Sequence, residues 1–320
     1  MILRQMPTAA REQSGRPTSI GGAWPPLFEP HNRRVKGIYT RSVISGNEEL
    51  TYVLQRARGA MAETGATRGT VRVFVSPRVD VGTEGIANLM RREAAIPTHH
   101  VFPESTLVYF GYNLPGRSSA KRTLQQETRF VAQTHGSTSR KKADKRLSDK
   151  GLEIESLRNP SQADIARIQK IYQEAFPTYI FGFTAESLRR LLGDGNLVIV
   201  GRSPAPEREI VSILVAEPLR LNLEGTQVTF YELSPYATDS EWRGKGLMTA
   251  IQMEAIRQLR GKESAIIYAE ARAPWTPATI ASIRAGMICA GTLEQHCVLN
   301  GVRDIRATGN YEDLNVMFAP

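Results

Sequence analysis

The sequence predicts an α/β protein of two units, a smaller one over residues 35–115 and a larger one over residues 151–320. Three observations carry that expectation. Segments of period-2 apolar alternation and segments with apolar residues at helical spacing succeed one another twice along the chain. At 320 residues the chain exceeds one minimal α/β unit and accommodates two, each with its own buried core. Residues 231–251, YELSPYATDSEWRGKGLMTAI, pass from a strand through a polar turn into an apolar-striped helix, a layout that suits an anion.

Taken in order, residues 1–34 are rich in Gly, Pro, Ser and Arg without sustained periodicity and read as a mobile N-terminal arm. Residues 35–45 read as a strand. Residues 48–63 place Leu50, Val53, Leu54, Ala57 and Met61 on one helical face, and residues 70–75 alternate as a strand. Residues 85–95 read as a helix and 106–112 as a strand. This first unit has no glycine cradle of its own. Residues 116–150 form a basic, Ser/Thr-rich linker. Its charge suits nucleic acid or an acidic partner and equally a solvated connection. No aromatic ladder interleaves the cations, Phe130 standing nearly alone, so nucleic acid is not expected as a partner. His135 has no neighbouring ligand types.

The second unit opens with a strand at 152–157 and a helix from Ser161 through Ile165, Ile168, Ile171, Tyr172 and Phe176. Pro177 ends that helix. The aromatic cluster Tyr179, Phe181 and Phe183 follows, read as core or as a substrate wall, then a helix at 185–192. Strands at 197–201, 210–217 and 228–237 lead to a helix at 247–259 and a strand at 264–271. A short helix at 276–285, stopped by Gly286, and strands at 291–299 and 314–318 complete the order.

The chemistry concentrates at Arg243-Gly244-Lys245-Gly246. Two glycines let consecutive N–H groups turn into one concavity, the positive end of the following helix faces the same spot, and Arg243 and Lys245 add charge. Such a turn is also an ordinary solvated loop. The Walker spacing and the dinucleotide fingerprint are both absent. Arg243-Gly244-Lys245-Gly246-Leu247-Met248 resembles the acetyl-CoA signature of the GNAT acetyltransferases, Q/R-x-x-G-x-G/A, with Met248 departing at the sixth position. Together with AFPTYIF at 175–181, YAEARA at 268–273, AGMICAGTLEQHCVLNG at 285–301 and YEDLNVMF at 311–318, the run looks like the β-lysine N-acetyltransferase branch of that family. The resemblance covers residues 150–320, with a weaker match over 35–115.

It implies the GNAT acyltransferase fold, with a central mixed, mostly antiparallel sheet preceded by a smaller, degenerate GNAT-like unit. It also implies acetyl transfer from acetyl-CoA, with coenzyme A as product, to the primary amine of a small amino-acid-like substrate, a diamino acid among the candidates. The expected cofactor contacts are the backbone of Tyr236, Ala237 and Thr238 along the pantetheine arm, and Arg243, Gly244, Lys245, Gly246, Leu247 and Met248 at the diphosphate. Many members carry a Tyr four residues before the Gly of the last helix, as the acid for the leaving thiolate. Here that position is Ser282.

An ammonium acceptor must lose a proton before it attacks a thioester, so a base is required. Glu232 is the first candidate, because it lies on the strand entering the cofactor loop, where partial burial among Phe230, Leu233 and Tyr236 would raise its pKa. Glu270 is the second, and the two carboxylates together would attract a cationic amine. Tyr179, Phe181 and Arg272 are the substrate-contact candidates; Asn300, Asp304 and Asn315 are weaker ones. The alternative functions are an acyl-CoA-binding protein of regulatory or partner-binding role, favoured by the missing Tyr, and a protein-lysine acetyltransferase.

Composition excludes little else. The apolar and charged fractions of 41% and 23% are ordinary, and a net charge of +9 suits a polyanionic cofactor as well as nucleic acid. Cys289 and Cys297 offer neither a disulfide framework nor a metal cluster, so no metal is expected. Without a membrane-length apolar run or a signal-peptide core, a cytoplasmic protein with no membrane partner is expected. No motif speaks to the oligomeric state, and a homodimer stays open.

Overall fold

The computed structural model describes residues 27–29, 32–117, 140–177, 179, 181–193, 195–274, 276–298 and 311–320. The arm over residues 1–26, residues 118–139 of the basic segment with Phe130 and His135, and Asn300 and Asp304 lie outside the described residues.

In the first unit, strands β1 (Leu27–Glu29) and β2 (Arg34–Ile38) precede helix α1 (Asn47–Thr64), strand β3 (Arg68–Val75), helix α2 (Glu84–Leu89) and strands β4 (Arg91–Pro97) and β5 (Thr106–Asn113). Helix α1 forms because its apolar stripe finds a sheet to cover. Leu50, Val53, Leu54 and Ala57 pack on Val71, Val73 and Phe110, while Glu48 and Glu49 sit at its positive end. Gly65, at φ 67°, ends it by donating its N–H to the Met61 carbonyl. The helix expected over 85–95 is instead a short helix that ends at Leu89 and a strand from Arg91. Ala94 and Ile96 alternate into the core while β4 pairs with β5, so sheet pairing overrides the helical propensity of the Ala-rich run.

In the second unit, helix α3 (Arg140–Ser148) comes first, although the sequence assigns those residues to the linker. Ala143 and Leu147 anchor it beside Leu247 and Ala250, which gives the end of the basic segment an apolar footing. Strand β6 (Glu153–Ser156), helices α4 (Gln162–Ala175) and α5 (Ala185–Gly193), and strands β7 (Leu197–Arg202), β8 (Ile210–Leu223) and β9 (Thr226–Thr238) follow. Helix α6 (Leu247–Leu259), strand β10 (Ala265–Arg272), helix α7 (Thr276–Arg284) and strands β11 (Ile288–Cys297) and β12 (Glu312–Ala319) complete the unit. Ser161 and Asp164 make a reciprocal capping box at the start of α4. Strands β8 and β9 run longer than the alternation indicates. They form one hairpin closed by Glu224 and Gly225, at φ 51° and 81°, the doubly positive pair a two-residue turn requires.

From β6 onward the element order is the one the resemblance implies. The sheet, however, does not stop at the unit boundary: its twelve strands run β1-β2-β3-β5-β4-β11-β12-β10-β9-β8-β7-β6. All pairings are antiparallel except β2 with β3 and β9 with β10. The halves join where Gly291 of β11 pairs with Ala94 of β4. Gly291 has φ 148°, and a Cβ built there would meet the Glu93 carbonyl oxygen and lie 2.7 Å from Ala94 Cα. Only glycine permits this approach. Each unit has its own core, and a further cluster, including Phe74, Phe102 and Tyr109 of the first with Phe230, Tyr268 and Val316 of the second, is shared.

Candidate active site

Strands β9 and β10 create the site by parting. Their parallel register runs from the Thr229–Ala265 pair to the Glu232–Tyr268 pair and ends there, although β9 continues to Thr238 and β10 to Arg272. Among the described residues, β9 beyond that point bonds only to β8, and β10 to β12. The side of β9 turned toward β10 along Tyr236, Ala237 and Thr238 therefore has no neighbouring strand. An irregularity of β9 between Leu233 and Tyr236, where Ser234 and Pro235 oppose the single residue Val215 of β8, accompanies the divergence.

The widening gap opens onto the turn before α6. Asp239 fixes this turn: its carboxylate accepts from the Glu241 N–H at 3.0 Å and from Arg167 of α4 at 2.7 Å. Gly244 and Gly246 have φ 76° and 91°, and a Cβ at either would project into open space. Helix α6 begins without a side-chain cap and with no acidic residue in its first turn, so its N-terminal amides are left for an anion. Three contacts seat this end of the helix. Leu247 is buried, and a Cβ at Gly201 of β7 would come within 2.8 Å of its Cδ2, so the helix lies directly against the strand. Lys245 Nζ stacks 3.9 Å above the Trp242 ring, and Arg243 Nε donates to the Thr238 carbonyl at 3.1 Å. Met248 is half-buried on the cleft wall.

One continuous cleft of about 2170 Å³ runs from this junction, along the parted strands, to the edge of the first unit. A typical small-ligand pocket holds roughly 300–1,000 Å³, so there is room for a long cofactor and an acceptor together. Arg243, Gly244, Lys245, Gly246, Leu247 and Met248 line one end. Glu232, Glu270, Arg272, Tyr179 and Phe181 line the other, with Tyr236, Ala237 and Thr238 between.

Glu232 faces the shared core cluster, on the same side as Phe230, whereas Leu233 and Tyr236 lie on the opposite side of the strand. Its surroundings thus differ from those the sequence suggests, because residues one apart on a strand point to opposite faces. Its Oε2 accepts from Tyr268 Oη at 2.9 Å, and Tyr268 accepts in turn from Arg72 Nη1 at 2.9 Å. Glu270, two residues beyond Tyr268, has a side chain only 7% exposed; its Oε2 lies 3.6 Å from Lys36 Nζ and 3.7 Å from His296 Nε2, and its Oε1 has no hydrogen-bond partner. Arg68 Nε donates to His296 Nδ1 at 3.2 Å, which leaves the ring proton on Nε2, toward Glu270. Burial and the cations Arg34, Arg68, Lys36 and Arg117 hold the His296 pKa well below its usual value, so the ring stays neutral.

Arg272 commits Nε and Nη2 to Glu312, both at 2.7 Å. Asn315 is buried between Thr279 and Thr292. Tyr179 packs in the aromatic cluster with Phe176, Phe181 and Phe183 and reaches Ser234 Oγ at 3.3 Å, so the cluster is core and cleft wall at once. Ser282 is fully buried on α7, donates to the Ala278 carbonyl at 3.2 Å and is absent from the cleft wall. Tyr236 does line the cleft. Burial pushes its hydroxyl pKa up to about 12 against the opposing influence of the nearby Ser282 hydroxyl, although no hydrogen bond of normal geometry joins the two.

Among the cleft residues that escape the sequence reading are Arg72 and Lys36 of the first unit, Tyr268, and Glu217, which lies opposite Glu232 across the β8–β9 ladder. A signal existed for two of them. Tyr268, Glu270 and Arg272 alternate on one strand, and Arg72 is a cation between two valines in mid-strand.

No family model matches the chain, and neither does any curated protein. Among solved structures it is similar to NAA60 of Arabidopsis thaliana in complex with a bisubstrate analogue, at 15% identity over 52% of this chain and 98% of that one, with a TM-score of 0.43. It is also similar to a GNAT superfamily phosphinothricin acetyltransferase of Sinorhizobium meliloti in complex with acetyl-CoA, at 16% identity over 53% and 88%, TM-score 0.42. A ribosomal-protein-alanine N-acetyltransferase of Brucella melitensis shares 23% identity over 52% and 98%, TM-score 0.41. Among the described residues, no helix is long and apolar enough to cross a membrane, and no group of three His, Cys, Asp or Glu is placed to hold a metal ion.

Proposed function

We propose that the protein is an acetyl-CoA-dependent N-acetyltransferase of the GNAT family, acting on a primary amine of a small amino-acid-like molecule. The observation that carries this reading is the parting of β9 and β10 just past the Glu232–Tyr268 pair, which leads from an uncapped helix N-terminus to a carboxylate within one cleft. The fit to the cofactor rests on the open space above Gly244 and Gly246. The amides of the α6 first turn would hold the diphosphate, with Arg243 and Lys245 adding charge, and the backbone of Tyr236, Ala237 and Thr238 would pair with the pantetheine arm as an added strand.

Acetyl-CoA supplies the activated acetyl group. Glu232 takes a proton from the acceptor ammonium, and the amine nitrogen attacks the thioester carbonyl carbon. A backbone N–H of the β9 edge stabilises the oxyanion, and the C–S bond breaks as the carbonyl re-forms. The departing thiolate needs a proton. Tyr236 supplies it in place of Ser282, since the residue lines the cleft and its hydroxyl, buried beside Ser282, stays protonated at neutral pH. Glu270 and the cations Lys36 and Arg72 sit deeper on the acceptor side, where an amine and a carboxylate on one small molecule would both find opposite charge. The resemblance to the β-lysine branch supports a diamino acid, and the aromatic wall and first unit that close this end favour a metabolite over a protein lysine.

The test is coenzyme A release measured against a panel of amino acids, diamino acids and peptides. Glu232→Gln is expected to lower turnover by about 100-fold or more while acetyl-CoA binding stays within twofold of wild type. Full activity in that variant would place the base elsewhere.

A further inference from the structure

We infer that Arg72 of the first α/β unit is a positioning residue for the acetyl transfer, holding Tyr268 so that its hydroxyl proton is committed to Glu232. This rests on the reading of Glu232 as the base.

The argument starts from donor inventory. A guanidinium can only donate, so the 2.9 Å contact from Arg72 Nη1 occupies a lone pair of the Tyr268 oxygen. Tyr268 has one proton to give. It lies along the 2.9 Å contact to Glu232 Oε2 and binds the ionised carboxylate better than the protonated one. Arg72 and Tyr268 are 3% and 2% exposed, so water cannot readily take over either role. Burial pushes the Tyr268 pKa well up, and the nearby Arg72 charge opposes that rise, so the phenol keeps its proton and remains a donor. Burial works against the Arg72 charge, but Tyr268, Tyr109, Glu270 and Glu232 outweigh it and keep the guanidinium ionised, so the donor to Tyr268 is always in place.

The described groups around Glu232 include Arg72 of β3, Tyr109 of β5, Tyr268 and Glu270 of β10, and Glu217 opposite it on β8. Glu217 and Glu270 both disfavour a second negative charge nearby; Arg72 and the Tyr268 hydroxyl oppose them. The first unit therefore takes part in the chemistry: strand β3 carries the cation that orients a hydroxyl on the catalytic sheet, and the sheet junction at Gly291 and Ala94 keeps the two in register.

The test is a double-mutant cycle of Arg72→Lys, Tyr268→Phe and the double variant. It is read by carboxyl 13C NMR titration of the Glu232 signal, assigned by its loss in Glu232→Gln, and by kcat/KM against pH. Tyr268→Phe keeps the ring that packs in the shared core. It is expected to raise the Glu232 midpoint by about one pH unit, to lower kcat/KM about tenfold with the acid limb moved the same way, and to leave acetyl-CoA affinity within twofold. Arg72→Lys is expected to move both readouts in the same direction in the wild-type background, and by less than twofold once Tyr268 is Phe, because Arg72 acts through that hydroxyl. An unmoved midpoint in Tyr268→Phe, or fully additive effects, overturns the proposal. Should no amine be acetylated by the wild-type protein, the NMR titration still decides the relay while the enzyme reading fails.

Discussion

Substituting Gly246 by Val isolates the claim that the α6 junction receives a diphosphate. At φ 91° a branched side chain is forced into a backbone region open mainly to glycine, which costs about 2 kcal/mol. Nothing lies within 4 Å of a Cβ built there, so no clash in the protein itself adds to that strain. For a chain of this size about 1 kcal/mol shifts the melting temperature by roughly 2 °C, so the variant should melt only about 4 °C below wild type. Its ligand response should change far more. Acetyl-CoA at about 100 times its Kd should stabilise the wild-type protein by about 2.7 kcal/mol, a rise of about 5 °C, and that rise should vanish when the valine occupies the space over the helix amides. The assay is thermal melting with and without acetyl-CoA, paired with isothermal titration calorimetry. A Gly246→Val protein that melts near 4 °C lower and still shows the full acetyl-CoA response would refute the reasoning, because the diphosphate would then be held elsewhere.

Gly291→Ala should destabilise by about 3 kcal/mol or more, through positive-φ strain and collision with the β4 backbone, and lower the melting temperature by about 6 °C or more without acetyl-CoA contacts being touched. Tyr236→Phe should lower kcat about 100-fold in a coenzyme A release assay with acetyl-CoA affinity kept, whereas Ser282→Ala should stay within a few-fold of wild type. His296 has a folded pKa depressed well below 6.5, so the unfolded chain binds the proton first as pH falls; its contribution is fully present above about pH 6.5 and is lost progressively below it. Urea unfolding between pH 7.5 and 5.5 should therefore show a slope of up to about 1.4 kcal/mol per pH unit from this group, and His296→Gln should flatten the slope by that amount.

The sequence by itself determined the parts whose signals are local. The periodicity of 247–259, the glycines of RGKG and the alternation of 228–237 lie within one element each, and the structure places α6 at Leu247–Leu259 and the Gly244–Gly246 turn at its start. Glu232 could be placed on its strand by the same reasoning. Its neighbours could not, since Tyr268 and Arg72 lie 36 and 160 positions away, or more than one sheet partner distant, and meet it only through tertiary pairing. Tertiary structure alone decided three things. Residues 91–97 became strand because β5 offered a partner, the two units fused into one sheet because Gly291 lets two backbones touch, and β9 and β10 parted past Glu232 to open the cleft. Each depends on contacts between residues far apart in the chain, where hydrogen-bond pairing and burial outweigh the few tenths of a kcal/mol per residue that local preference supplies.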